Sequence, residues 1–156
     1  AKKIPLVVVL DNVRSMHNIG SVFRTSDAYV VEKVVLCGIT AQPPHPDIHK
    51  SALGAEFSVD WEYYPSAKES VRALQEQGFK VFAVEQAEGS TMLQNLAIDS
   101  NVKYAIVMGN EVKGVNQEVV DMCDGCIEIP QFGTKHSLNV STTAGMVIWE
   151  FGKKFF

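Results

Sequence analysis

Three short polar stretches carry the residue types from which chemistry is built: residues 18–24 (NIGSVFR), 109–114 (GNEVKG) and 136–145 (HSLNVSTTAG). In the first, Gly20 and Arg24 are four apart, so a helix sets them on one face, away from Ile19 and Phe23. The glycine leaves a space one turn before a guanidinium, where a phosphate or sugar could approach. The plainer reading has Asn18 as a helix N-cap and Arg24 as a solvated side chain. In the second stretch the glycines suit a turn, but such a turn requires no acid, and Glu111 is there. Its spacing is neither the dinucleotide fingerprint nor a Walker A loop. The third puts two serines and an asparagine directly before an apolar segment. Asn139 suffices to cap a helix there, leaving Ser137 and Ser141 as further hydrogen-bonding groups. No G-x-S-x-G elbow accompanies these serines, which weakens a serine-nucleophile reading.

The loops holding these clusters must be positioned by regular elements. IPLVVVL, KVVLCG, KVFAVE and YAIVMG are short apolar runs of the kind found in strands covered on both faces; VDWEYY and GCIEIP add two more strands. A helix is expected from near Asn18, with Ile19, Val22, Phe23 and Ser26 on one face. Ser66 with Glu69 fits a capping box that opens a helix running to Gln77 and stopping at Gly78. A short helix covers Gln117 to Met122, and Val140, Ala144, Val147, Ile148, Phe151 and Phe155 follow helical spacing to the terminus. Residues 40–56, with three prolines and two histidines, read as a long loop with one helical turn. Alternating strands and helices imply a single α/β domain with a mostly parallel sheet flanked by helices. Ligands in such sheets gather beyond the carboxyl ends of strands, where GNEVKG falls.

The 156 residues suit one domain with a substantial core, and an apolar content of 46% argues against long disorder. The net charge of −4 argues mildly against a large sequence-independent nucleic-acid surface, while a local basic patch stays open. An odd cysteine count does not suggest a disulfide framework; Cys123 and Cys126 form a lone C-x-x-C, and all three thiols read as structural. No metal is expected. With no run of about 18 apolar residues and no charged-then-apolar leader before Ile4, no membrane association is expected and the location is expected to be cytoplasmic.

In order and spacing, NIGSVFR, GNEVKG and IPQFGTKHSLNVSTTAGMVIWE resemble the three motifs of SpoU-type RNA 2′-O-methyltransferases, the TrmH-like branch of the SPOUT superfamily. HKSALGAE is similar to that family's segment after the second strand, and the resemblance runs from Leu10 to Glu150. With no extra RNA-binding domain ahead of the first strand, the expectation is a minimal module over residues 1–156. The resemblance implies a deep C-terminal trefoil knot, which topology rules make rare and no residue pattern suggests. It implies S-adenosyl-L-methionine bound in that knot by Val84, Glu85, Gly109, Ile129, Ser137 and Leu138, largely through backbone groups. It also implies methylation of a ribose 2′-hydroxyl in transfer or ribosomal RNA, with Arg24, Asn18, Glu111, Ser141 and Asn139 as catalytic residues, and a homodimer joined through the C-terminal helix.

Chemistry adjusts those implied roles. A guanidinium with a pKa above about 12 does not accept a proton. Arg24 is therefore expected to bind a phosphate and stabilise the developing alkoxide, while Asn18, Glu111 and Ser141 orient the sugar and hold Arg24. Asn139 starts the last helix, and His17 is an alternative proton acceptor. Lys50, Lys113 and Lys135 are candidate phosphate contacts; His136 either touches RNA or is a solvated loop residue. Two rival readings are an RNA-binding module without catalysis and a small α/β hydrolase using Ser137 or Ser141 with His136.

Overall fold

The first strand, β1 (Ile4–Asp11), sorts the molecule into layers. Its residues Leu6, Val8 and Leu10 face one buried cluster, and Val7 and Val9 face another. The first cluster takes in Ile19, Val22 and Phe23 of α1 (Met16–Ala28) and Ala144, Val147, Ile148 and Phe151 of α5 (Val140–Gly152). The second takes in Val71 and Leu74 of α3 (Ala67–Glu76) and Val119 of α4 (Gln117–Met122). Each fully buried side chain of this kind contributes about 1.5–3 kcal/mol, so a strand apolar on both sides is stable only between two helical layers.

The computed structural model describes residues 2–134 and 137–156. Besides β1 the sheet holds β2 (Val31–Cys37), β3 (Trp61–Tyr64), β4 (Lys80–Val84), β5 (Thr91–Met92), β6 (Tyr104–Met108) and β7 (Gly125–Glu128). Its order is β3-β2-β1-β6-β4-β7-β5, and every pairing is parallel. Parallel pairing puts all carboxyl ends on one side, which gathers the loops after β1, β4, β6 and β7 there. The α/β architecture expected from the alternation of elements is the one observed. The two-residue β5 lies in a polar connection without strand periodicity and escaped the pattern.

Three local expectations need correction. Helix α1 starts at Met16, ahead of Asn18: Ser15 is the N-cap, its hydroxyl accepting the Asn18 N–H at 3.1 Å. Asn18 is thus buried in the first turn with its side-chain amide free for other work. Residues 40–56 contain more than one turn: α2 (Pro46–Ala52) starts at a proline and is followed by a 3-10 turn, Ala55–Phe57. Helix α2 packs directly on Gly20, where a Cβ would collide with Ser51 Oγ and the Ile48 carbonyl. The space left by that glycine is filled by protein, not open to a phosphate. The Ser51 hydroxyl donates to the His17 carbonyl at 2.9 Å and fastens the two helices. Ser66 caps α3 as the sequence predicts, accepting the Glu69 N–H at 3.3 Å, and Gly78, at φ 91°, ends it.

Candidate active site

Beyond the carboxyl ends of β4, β6 and β7 lies a cleft lined by Val84, Glu85, Gly109, Ile129, Ser137 and Leu138. These are the six residues expected around a cofactor, and the fold brings all of them together. Met108 and Ile127 give the cleft a buried apolar floor. Glu85, Glu111 and Glu128 also line it, against Lys113 as the cation among the described lining residues. Its field therefore favours a ligand that is apolar in part and positively charged elsewhere.

The loop after β6 is held rigidly. Asn110 and Gly114 exchange backbone hydrogen bonds of 3.1 and 2.9 Å, and the Asn110 Oδ1 accepts the N–H groups of Val112 and Lys113 at 2.9 and 3.0 Å. Asn110 Nδ2 donates to the Asn12 carbonyl at 2.8 Å. Glu85 closes the other side, Oε2 accepting the Val115 N–H at 2.8 Å and Oε1 the Gln86 N–H at 2.9 Å. Gly114, at φ 70°, lies so close to the Glu85 carboxylate that no Cβ fits. Across the cleft, Gln131 Oε1 accepts the Leu138 N–H at 3.1 Å, and Glu128 accepts the Ser90 hydroxyl at 2.7 Å.

Glu111 connects this loop to α1. Its carboxylate accepts the backbone N–H of Arg14 at 2.9 Å, that of Ser15 at 2.8 Å and the Asn18 Nδ2 at 3.2 Å. Burial pushes its pKa up, but the N–H donors outweigh that and hold it below the usual carboxylate range. The acid that a glycine turn did not require is thus a clamp between the first two polar clusters. His17 is exposed beside Asn18. Arg24 stands six residues further along α1, about 9 Å by helical rise. It is exposed, and among the described residues it makes no hydrogen bond or ion pair, with Glu111 and Ser141 included.

The third cluster divides its labour differently from expectation. Asn139 caps α5, its Oδ1 accepting the N–H groups of Ser141 and Thr142 at 2.8 and 3.4 Å. The Ser141 hydroxyl donates to the same oxygen at 2.6 Å, so it is committed to the cap; Thr143 is the α5 hydroxyl that lines the cleft. A partner amide oxygen does not activate a serine, which removes support for a hydrolase built on Ser141. Lys135 and His136 lie outside the described residues. Lys50 pairs with Asp47 at 3.2 Å, whereas Lys113 lines the cleft. Burial pushes the Cys37 and Cys123 thiols up to about 12, and Cys126 donates to the Glu85 carbonyl at 3.2 Å. No metal-ligating group assembles among the described residues.

The site residues that sequence reasoning missed are Arg14, Ser15, Glu128, Gln131 and Thr143. Arg14 and Ser15 act through backbone N–H groups, which no residue type announces. Gln131 and Thr143 lie inside the quoted stretch IPQFGTKHSLNVSTTAGMVIWE, and that membership was the one signal.

The SpoU rRNA Methylase family matches residues 5–149 of the chain. A 23S rRNA (guanosine-2′-O-)-methyltransferase RlmB from Neisseria meningitidis serogroup B is 33% identical over 146 residues, covering 94% of this chain and 57% of that protein. A tRNA (guanosine(18)-2′-O)-methyltransferase from Thermus thermophilus is 32% identical over 145 residues, covering 93% of this chain and 73% of its own length. The AdoMet-bound rRNA methyltransferase structure from Sinorhizobium meliloti aligns with a TM-score of 0.91 at 26% identity, over 99% of this chain and 58% of that one. The chain therefore spans less than two thirds of the Neisseria and Sinorhizobium proteins.

Proposed function

Because the chain belongs to the SpoU rRNA methylase family, we propose that it methylates a ribose 2′-hydroxyl of transfer or ribosomal RNA, using S-adenosyl-L-methionine. The observation that carries the reading is the Glu111 clamp. It joins the cleft holding the six expected cofactor residues to the helix that bears His17 and Arg24.

The cleft's chemistry fits the cofactor. An apolar floor suits a purine ring, and the surplus of carboxylates suits a sulfonium and an ammonium. When bound, S-adenosylmethionine supplies an electrophilic methyl carbon. An ionised carboxylate has about four acceptor sites. Three donors already occupy Glu111, which leaves one position to receive a sugar hydroxyl. Glu111 and Asn18 orient the ribose, and Arg24 holds the neighbouring phosphate and stabilises negative charge developing on the 2′-oxygen. His17 accepts the 2′-proton. Such alignment supplies on the order of 7 kcal/mol in favourable cases. Asn139 and Ser141 act one step away, by fixing the start of α5 and with it Thr143.

The reading extends to a homodimer through α5. One face of α5 buries Val147, Ile148 and Phe151 in the domain, while Met146 and Trp149 on another face are exposed. Trp149 and Phe156 pack on Tyr29, with ring centroids 5.6 and 6.1 Å away, and form an apolar patch suited to a second copy. It also takes residues 1–156 as one catalytic unit, threads the C-terminal segment into a knot and places the protein in the cytoplasm. No helix of the described residues is long and apolar enough to cross a membrane.

Incubation with methyl-tritiated S-adenosylmethionine and either bulk transfer RNA or ribosomal RNA tests the reaction. Nuclease digestion and mass spectrometry should reveal a 2′-O-methyl nucleoside. Label on a base alone, or no transfer despite cofactor binding, contradicts the proposal.

A further inference from the structure

The loop after β6 separates two hollows of opposite charge. On one side, the cofactor cleft sets Glu85, Glu111 and Glu128 against Lys113. On the other lies a groove of about 750 Å³, bounded by Arg14, Ile39, Val112, Lys113 and Gln117. Arg14 and Lys113 are exposed, and among the described residues neither side chain makes a hydrogen bond or an ion pair. Asp11, the acid among the lining residues, is only 5% exposed and pairs with neither. Elsewhere Lys3 is neutralised by Asp60 at 2.9 Å, Lys33 by Glu62 at 2.7 Å and Lys50 by Asp47 at 3.2 Å. Two cations left without counterions in one groove attract an anion.

The row of cations continues along α1. Arg14 precedes the Ser15 N-cap, and Glu111 accepts its main-chain N–H at 2.9 Å, so its side chain leaves from a fixed point. His17 and Arg24 are both exposed and seven residues apart, which sets them about 20° from each other around the helix axis. Arg14 and Arg24 are ten residues apart, about 15 Å at the helical rise, with His17 between them. That spacing suits a chain of phosphates rather than one anion. Ile39 and Val112, 64% and 84% exposed, add apolar walls on which the sugars of such a chain can rest.

We propose that this groove is a second anchor for the RNA strand: Arg14 and Lys113 hold phosphates on one side of the methylated nucleotide, Arg24 holds one on the other, and the strand passes over His17 between them. The proposal rests on the RNA-methylating reading and gives Arg14, which does not line the cofactor cleft, a binding role of its own. Contacts of this kind fix register and orientation without reading sequence.

Fluorescence anisotropy of labelled bulk transfer RNA, titrated over a series of KCl concentrations, tests it. Each phosphate contact contributes about 0.7–0.9 to the slope of log affinity against log salt. Arg14→Gln removes the charge but keeps the N–H that Glu111 accepts, and Lys113→Gln alters an exposed side chain. Each should flatten the slope by about 0.7–0.9, and Arg14→Gln should bind S-adenosylmethionine as wild type does. Arg72→Gln, an exposed site on α3 in the opposite helical layer, should leave the slope unchanged. Wild-type slopes in both groove variants, or the same flattening in Arg72→Gln, overturns the proposal. So does displacement of the RNA by potassium phosphate beyond that by potassium chloride at matched ionic strength, which would make the groove a site for a free anion. Methyl transfer is read separately by mass spectrometry. A 2′-O-methyl product with unchanged slopes sinks the groove alone, and flattened slopes with no such product sink the methyl-transfer reading alone.

Discussion

Asn18 and Glu111, 93 positions apart, are joined by a 3.2 Å hydrogen bond from the asparagine amide to a carboxylate that also receives the Arg14 and Ser15 N–H groups. These donors lower the folded-state pKa of Glu111 below its ordinary 4.5. A carboxyl whose folded pKa is depressed stabilises the fold above the unfolded pKa, and that contribution is lost as pH falls through the folded value. Urea denaturation should therefore show wild type losing stability below about pH 4.5, with Glu111→Gln losing less across the same window. At neutral pH the substitution should cost about 1–3 kcal/mol, because the glutamine keeps one acceptor oxygen and turns an NH2 toward N–H groups that the second carboxylate oxygen had accepted. Equal acid sensitivity of the two proteins would show that the clamp is not charged in solution.

Gly20→Ala should destabilise the protein by about 1–3 kcal/mol, since its methyl would enter the backbone of α2. For a chain of this size each kcal/mol lowers Tm by about 2–4 °C, which scanning calorimetry resolves. An unchanged Tm would mean that α1 and α2 separate freely enough to admit the methyl.

Arg24→Lys should reduce kcat/KM for RNA by more than about tenfold, because an ammonium cannot reproduce the planar fork. Affinity for S-adenosylmethionine should stay the same, as Arg24 does not line the cofactor cleft. Near-normal turnover would remove Arg24 from the reaction. His17→Ala should abolish turnover while RNA binding persists; full activity would assign the proton to another group.

Trp149→Asp should convert a dimer into a monomer in sedimentation equilibrium, by placing a charge in the aromatic patch with Tyr29 and Phe156. A monomeric wild type would contradict the proposed use of that surface.

The sheet was legible because β1 is apolar from Leu6 to Leu10 and β6 along its whole length, where the two helical layers cover them. Helix α3 was legible through Ser66 and Gly78, which carry their meaning locally. The start of α1 was not, since Ser15 and Asn18 are both good caps and only the tertiary bond from Asn18 to Glu111 decides between them. That Val84, Glu85, Gly109, Ile129, Ser137 and Leu138 line one cleft was legible through family resemblance. Its clamps were not, because Glu111 is satisfied mainly by backbone N–H groups and Glu85 by main-chain donors up to thirty residues away. Gly20 shows the limit of reading absence: a missing side chain looks like room for a ligand until α2 is seen to occupy it.

The segment from Asn110 to Val115 is tied to Asn12 on one flank and to Glu85 on the other, with a hollow on each side. It behaves as a partition between two compartments, so any sideways displacement enlarges one at the expense of its neighbour. Two ligands, one in each hollow, would be linked thermodynamically to the extent that either displaced the segment. The help or hindrance each gives the other has the same magnitude whichever arrives first.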